Sequence, residues 1–138
     1  MGYHAFMRNV SNAIIGTMLP LLLLAGCTAK ITSSLTVGAR PFQPASCRSS
    51  EPNGVAGVDL MDGSGARLRL VSLPNGQANA LFFGAGANLG TELGACGPIT
   101  LEQQNSRING VYNVRGTATL SCKGKVSIVG SVQFENCH

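Results

Sequence analysis

Residues 58–83 read VDLMDGSGARLRLVSLPNGQANALFF, an alternation of apolar and polar residues that is interrupted by two turns. A period of two residues is typical of a β-strand with one buried face. Residues 62–65 and 74–76 are rich in glycine and turn-forming residues, so each divides the alternation into neighbouring strands. The stretch therefore predicts two successive antiparallel hairpins. Arg67 and Arg69 then lie on the face opposite the core.

The turn at residues 74–76 also predicts a register. Proline sets the φ angle that opens the turn, and glycine takes the left-handed position that a three-residue hairpin loop needs. The predicted cross-strand pairs are Leu73 with Gln77, Ser72 with Ala78, Leu70 with Ala80, and Leu68 with Phe82. One face of this pairing is apolar, as a correct register requires.

Asn109-Gly110 predicts another two-residue hairpin, because this dipeptide readily adopts positive φ angles. It places Ile108 opposite Val111. Counting back gives these pairs: Gln104 with Arg115, Gln103 with Gly116, Glu102 with Thr117, Leu101 with Ala118, Thr100 with Thr119, and Ile99 with Leu120. The odd-numbered members of the first strand then share one apolar face, and the even-numbered ones form a polar ladder.

The last turn allows two registers, and matching of apolar faces selects one. A two-residue loop of Lys123 and Gly124 would place Leu120 opposite Ser127. A three-residue loop of residues 122–124 instead pairs Leu120 with Val126, which keeps apolar residues together. We expect the three-residue loop.

Together these patterns predict an all-β domain over residues 55–138, built from six to seven antiparallel strands. We expect a sandwich or a flattened barrel whose C-terminal half is a β-meander. The 138 residues include 18 glycines and no tryptophan, so the core is small and consists mainly of aliphatic side chains and alanine. Such a core needs further stabilisation.

Four cysteines supply that stabilisation as two predicted disulfides. Cys122 and Cys137 lie at opposite ends of a strand of about 11 residues, or ~35 Å, whereas a disulfide requires Cα atoms within about 7 Å. The hairpin at residues 109–110 places Cys96 opposite Lys123, beside Cys122. We therefore predict the pairs Cys96–Cys122 and Cys47–Cys137.

Residues 27–54 contain three prolines and few large apolar residues, which predicts a flexible tether. Ile31, Ser33, Leu35 and Val37 do alternate, so a short edge strand in this segment remains an alternative.

The N-terminus has the features of a signal peptide, with Arg8 as its only cation and an apolar run over residues 13–24. Twelve helical residues span only ~18 Å, well short of a hydrocarbon core of about 30 Å. The run ends in Leu24-Ala25-Gly26-Cys27, which resembles the lipobox of bacterial lipoprotein signal peptides.

That resemblance implies cleavage between Gly26 and Cys27 after a diacylglyceryl group has been placed on the Cys27 sulfur. Residues 1–26 would be removed, and fatty chains such as palmitate would hold the protein on a membrane. Thr28, rather than aspartate, follows the cysteine, which implies the outer membrane.

The rest of the chain predicts neither catalysis nor a cofactor. The only histidine after residue 27 is His138, and no cysteine pair has the spacing of a metal site. The glycines of residues 84–90 have the wrong spacing for a dinucleotide loop. The cations are scattered, which argues against nucleic-acid binding. Arg67, Arg69 and Arg115 form a candidate anion-binding surface.

We therefore expect a lipid-anchored envelope protein, not an enzyme, with a binding or structural role toward an envelope polymer or a protein. The alternative is a membrane-tethered inhibitor of a periplasmic or extracellular enzyme. Its reactive surface would be an exposed loop at residues 84–95.

Overall fold

The computed structural model describes residues 28–138, which form an antiparallel all-β structure. The strands are β1 (Lys30–Ser33), β2 (Thr36–Val37), β3 (Arg40–Pro41), β4 (Pro44–Ser50), β5 (Gly57–Asp62), β6 (Arg67–Ser72), β7 (Gln77–Phe83), β8 (Thr91–Ile108), β9 (Val111–Cys122) and β10 (Ile128–Cys137), with a 3-10 turn at Pro52–Gly54. The predicted fold class is confirmed. Residues 55–138 contribute six strands, and the preceding segment adds four more.

The strands form one curled sheet in which β4 to β10 are neighbours in chain order. The sheet continues from β10 to β2 and β3, and β1 also pairs with β10. Because the sheet curls, β4 packs against β1, β9 and β10. The largest fully buried apolar side chains are Leu35, Val58, Leu60, Leu68, Leu70, Leu120, Ile128 and Phe134. The core thus lies inside the curl.

The long strand β8 joins the two halves of the sheet. Its first part pairs with β7 up to Pro98, and its second part pairs with β9 from Ile99 onward. Gly97 lies at this change of partner with a φ of 142°. A Cβ at this position would overlap the carbonyl oxygen of Thr119. Glycine therefore allows β8 to pass close to β9 as it changes partner.

The hairpin predicted between β5 and β6 is present, with Leu60 opposite Leu68. The register predicted for β6 and β7 is confirmed, because the turn at residues 74–76 produces the predicted strand pairs from Ser72 with Ala78 to Leu68 with Phe82. The fourth predicted pair is also found, since the Leu73 amide donates to the Gln77 carbonyl at 2.8 Å. Gly76 has a φ of 78°, as the closing position of this loop requires.

The register predicted for β8 and β9 holds only at the turn. Ile108 pairs with Val111 as expected, but Leu101 pairs with Gly116 rather than with Ala118. The shift arises because residues 104–106 of β8 face Asn113 alone, which is a β-bulge with two extra residues. Because the register shifts by an even number of residues, each side chain lies on its expected face, and the apolar face is the one that was predicted.

The register predicted for β9 and β10 is wrong by four residues. Cys122 pairs with Ile128, so the loop comprises residues 123–127 instead of 122–124. Leu120 faces Gly130 rather than Val126. Both registers keep the same side chains inward, so matching of apolar faces could not distinguish them.

The tether predicted for residues 27–54 is wrong for the described residues, because Lys30–Ser50 contains four strands. Lys30 of β1 pairs with Glu135 of β10, and Leu35 and Phe42 are buried in the core. The Ser33 hydroxyl accepts a hydrogen bond from the Leu35 amide and donates one to the Phe42 carbonyl. The two prolines of β3 and β4 lie in strands at the sheet's edges, where the lack of an N–H group is tolerated.

Both disulfides join the cysteines that were paired from strand register. Cys47 in β4 is bonded to Cys137 in β10, with a Cα separation of 5.0 Å. Cys96 in β8 is bonded to Cys122 in β9, with a Cα separation of 4.8 Å. The first bond closes the curl, and the second fixes β8 to β9 near the point where β8 changes partner.

Candidate functional site

Asp59 is a buried carboxylate, with only 6% of its surface exposed, on the side of β5 that faces away from the core. Arg69 lies directly opposite on β6 and donates two hydrogen bonds to it, Nε to Oδ1 at 2.7 Å and Nη2 to Oδ2 at 2.9 Å. These bonds raise the pKa of Arg69 above its ordinary value, against the opposing effect of burial. The arrangement is a charge-assisted bidentate pair that connects the two strands.

Arg67 extends this cluster along β6. Its Nη1 lies 3.9 Å from Asp59 Oδ2, and its guanidinium stacks on the ring of Phe83 at 4.0 Å from the centroid. Two arginines therefore share one carboxylate, and Arg67 is further held by a cation–π contact. Both side chains have structural partners rather than lying free on a solvated face.

Arg115 does not join the other two arginines. It lies on β9, three strands from β6 in the sheet order, and its Nε is 3.1 Å from Oε2 of Glu102 on β8. The three residues of the predicted anion-binding surface thus occupy two separate places, and each faces a carboxylate.

A cleft of about 390 Å³ lies between the β4–β5 connection and the β8–β9 hairpin. Apolar side chains, including Leu101, Val111 and Val114, make up much of its wall, and Glu51 and Tyr112 are among its polar residues. This volume is within the range of small-ligand sites, which are typically apolar with a few polar groups. A depression that includes Ser46, Arg67 and Phe83 has a larger volume, about 590 Å³, but it is more open to solvent than the cleft.

Ser50 gives the cleft a buried polar group. Its hydroxyl oxygen lacks a hydrogen-bond partner among residues 28–138, and it faces Gly57, where a Cβ would meet it at 2.9 Å. Both residues line the cleft. This oxygen is therefore a buried polar atom with unused hydrogen-bonding capacity in the wall of the cleft.

Asn113 is the second buried polar residue near the cleft, and it follows Tyr112 in β9. It is fully buried, and neither amide atom has a hydrogen-bond partner within the described part of the chain. A buried amide without partners costs about 1–3 kcal/mol. The β8–β9 hairpin therefore carries a local destabilisation where β8 bulges.

The end of the β8–β9 hairpin is apolar and basic. Val111 and Tyr112 are 49% and 37% exposed, and the Arg107 guanidinium lies 3.8 Å from the centroid of the Tyr112 ring. Arg107 Nη2 also donates a hydrogen bond to the Tyr112 hydroxyl. The contact holds the aromatic ring and the cation together at the surface.

The loop between β7 and β8 is shorter than predicted. It comprises residues 84–90, because residues 91–95 already belong to β8. Leu89 is 88% exposed in this loop, and Gly86 has a φ of 72°. The loop thus presents one large apolar side chain to solvent.

Groups that commonly perform catalysis or bind metals do not cluster in residues 28–138. No three residues among histidine, cysteine, aspartate and glutamate come together there to bind a metal ion, and both cysteine pairs are disulfide-bonded. No helix in this part of the chain has the length and hydropathy to span a bilayer. The predicted cleavage position at Gly26 and the predicted lipidation site at Cys27 lie outside the described residues.

The cleft is the feature that sequence reasoning missed. It brings residues 49–57 together with residues 101–114. Most of the first segment was assigned to the predicted flexible tether, so it was not considered as part of a site. A useful signal was the turn sequence Pro52-Asn53-Gly54, which leads directly into the alternating strand β5. Comparison of the chain with protein-family models, with curated proteins and with solved structures gives no match in any of the three.

Proposed function

We propose that the chain is a lipid-anchored bacterial envelope protein that acts by binding and not by catalysis. The observation that carries the proposal is the sequence Leu24-Ala25-Gly26-Cys27 immediately before a folded domain. The acyl chains on Cys27 attach the protein to membrane lipid, and Thr28 directs it to the outer membrane. The domain then presents its cleft to a ligand at the membrane surface.

The disulfides support an extracytoplasmic location. Both bonds lie between core strands, and all four cysteines of the described residues take part in them. Structural disulfides of this kind persist in oxidising compartments such as the periplasm and the cell surface. Export by a signal peptide takes the chain to such a compartment.

The cleft supports a binding role. Its apolar wall and its few polar residues, such as Glu51 and Tyr112, suit a small ligand, or a segment of an envelope polymer, that combines an apolar face with a few polar atoms. The arginines are less suited to polyanions, because Arg69 and Arg115 each donate to a carboxylate. We therefore place ligand binding at the cleft rather than at the three arginines.

Metabolic labelling of bacteria that express the full chain tests the anchor. We expect radioactive palmitate to label the protein, and mass spectrometry to find Cys27 as the first residue with its sulfur acylated. The Cys27→Ser variant should carry no label, whereas the matched Cys96→Ser/Cys122→Ser variant should keep it. A bare Cys27 sulfur, or retention of residues before Cys27, would overturn the proposal.

A second candidate function is inhibition of a periplasmic or extracellular enzyme, and Leu89 is the observation that favours it. A single side chain exposed on a loop between two strands can enter the substrate pocket of an enzyme. Capture of envelope hydrolases by the full chain, and loss of this capture in the Leu89→Gly variant, would support the inhibitor over the cleft-binding protein.

A further inference from the structure

Large exposed apolar residues are unevenly distributed over the described residues. Two of them, Leu89 and Val129, lie near the loops that precede β8 and β10. The other three are near the cleft: Val111 and Tyr112 belong to its lining, and Val55, 38% exposed, precedes Ala56, which also lines it. One end of the molecule therefore has an apolar patch made from two separate segments.

The same end holds the start of the described chain. Phe134 of β10 pairs with Ile31 on one side and with Gly116 on the other, so these residues lie on one line across the sheet. Three residues back along β1 is Thr28, and three residues back along β9 is Asn113. Since β1 and β9 run in the same direction, Thr28 lies toward the end of the sheet where the β8–β9 hairpin turns.

Hydrogen bonds confirm this proximity. The Asn136 side chain donates from Nδ2 to the Thr28 carbonyl at 3.2 Å, and its Oδ1 accepts from Gln104 Nε2 at 3.1 Å. One side chain thus connects the residue that follows Cys27 to the base of the β8–β9 hairpin. In the sequence, Thr28 directly follows Cys27, the proposed lipidation site.

The β8–β9 hairpin extends beyond Thr28 at this end of the sheet. Gly110 lies three positions before Asn113 in the sequence, which corresponds to ~10 Å at the rise of an extended strand. An amphipathic element bound at a membrane surface inserts its apolar face by about 5–10 Å. The hairpin end, defined here as residues 107–112, is therefore long enough to reach the bilayer interface when Cys27 is at the surface.

The composition of the hairpin end fits the same location. Residues 103–114 contain one charged residue, Arg107, and no acid. Tyrosine is enriched at membrane interfaces because its ring is apolar and its hydroxyl is polar. An arginine beside it can contact the phosphates of anionic lipids.

We infer that the hairpin end, together with Val55, inserts into the interface of the bilayer that holds the Cys27 acyl chains. This inference rests on the proposed lipid anchor and adds an orientation to it. The domain lies directly on the lipid headgroups, the cleft opens toward them, and the loop at residues 84–90 points away.

A single-tryptophan experiment tests the orientation, because the chain contains no tryptophan. The full acylated chain is purified as the Tyr112→Trp variant and incorporated into vesicles of phosphatidylethanolamine and phosphatidylglycerol with brominated acyl chains. We expect loss of emission relative to unbrominated vesicles, and a shift of the emission maximum to shorter wavelength relative to detergent. Leu89→Trp, at the other end of β8, is the matched control and should show neither change.

Two further measurements separate the possible failures. Flotation of the vesicles and the mass of the N-terminus report the anchor itself, so protein that neither floats nor carries lipid overturns both proposals. Protein that floats, but shows equal bromine quenching in the Tyr112→Trp and Leu89→Trp variants, overturns only the orientation. A blue shift at position 112 without bromine quenching indicates contact between protein copies and also overturns it. Val111→Trp repeats the test if Tyr112→Trp fails to fold.

Discussion

The β5–β7 meander and the β8–β10 hairpins consist of similar alternating strands, but their registers are set differently. In the meander, short turns at residues 62–65 and 74–76 join the strands, and every partner predicted for β6 and β7 is found. In the hairpins, a bulge and a five-residue loop shift the partners by two and by four residues. Short turns therefore specify partners, whereas alternation specifies only which side chains face inward.

The largest expected effect concerns the disulfide that links β4, the neighbour of the meander, to the last hairpin. The Cys47→Ser/Cys137→Ser variant should lose about 4–5 kcal/mol of unfolding free energy, because this bond closes the longer loop. The Cys96→Ser/Cys122→Ser variant, within the hairpins, should lose about 3–4 kcal/mol. Urea unfolding of both variants measures the difference, and the opposite order would contradict the loop-length argument.

A smaller effect is expected from adding one methyl group in each region. A Cβ at Gly116 in β9 would overlap the Thr100 carbonyl oxygen and meet the Phe134 ring at 3.0 Å. Gly116→Ala should therefore destabilise the domain by about 3 kcal/mol. Gly63→Ala, in a meander turn with open space around it, should change the stability by less than about 0.5 kcal/mol. Thermal unfolding compares the two, and equal melting temperatures would contradict the close approach at Gly116.

The smallest effects concern one ion pair in each region. Asp59→Asn in the meander should lower the free energy of unfolding by about 2 kcal/mol. This is less than the usual value for a broken buried ion pair, because Arg69 is partly exposed. Glu102→Gln in the hairpins should cost less than about 0.5 kcal/mol, because both partners are exposed. Chemical denaturation at low and high salt checks this order, and salt should weaken only the Glu102–Arg115 pair.

The strands β5 to β7 were predictable because each is short, alternating and bounded by turn residues, and the hairpin of β8 and β9 was predictable from Asn109-Gly110. The segment of β1 to β4 was predicted only in part, as the alternative of a short edge strand around residues 31–37, because most of its buried residues are isolated among polar residues and prolines. Leu35 becomes a core residue where β10 pairs with β1 and β2 on either side of it, and Phe42 packs against Phe82 of β7. Local periodicity contains no information about such a distant partner.

The candidate site was less predictable than the fold. The arginines were identified from their place on the outer face of β6 and β9, but the acidic partners depend on register. Asp59 faces Arg69 in the register of β5 and β6, whereas Glu102 faces Arg115 only because of the bulge in β8. Prediction of the cleft would have required knowing that residues 49–57 are ordered and that they pack over the β8–β9 hairpin.

The Cys47–Cys137 bond encloses nearly the whole domain in one covalent ring. A protease that cuts any single peptide bond within residues 48–136 opens the ring but leaves both fragments attached to each other. Separation of these fragments therefore requires either a second cut or reduction of the bond. If Cys27 carries the proposed lipid anchor, a single cut before residue 47 breaks the covalent link between that anchor and the ring, so the exposed positions of β1 to β3 are the sites where one cleavage would have this effect.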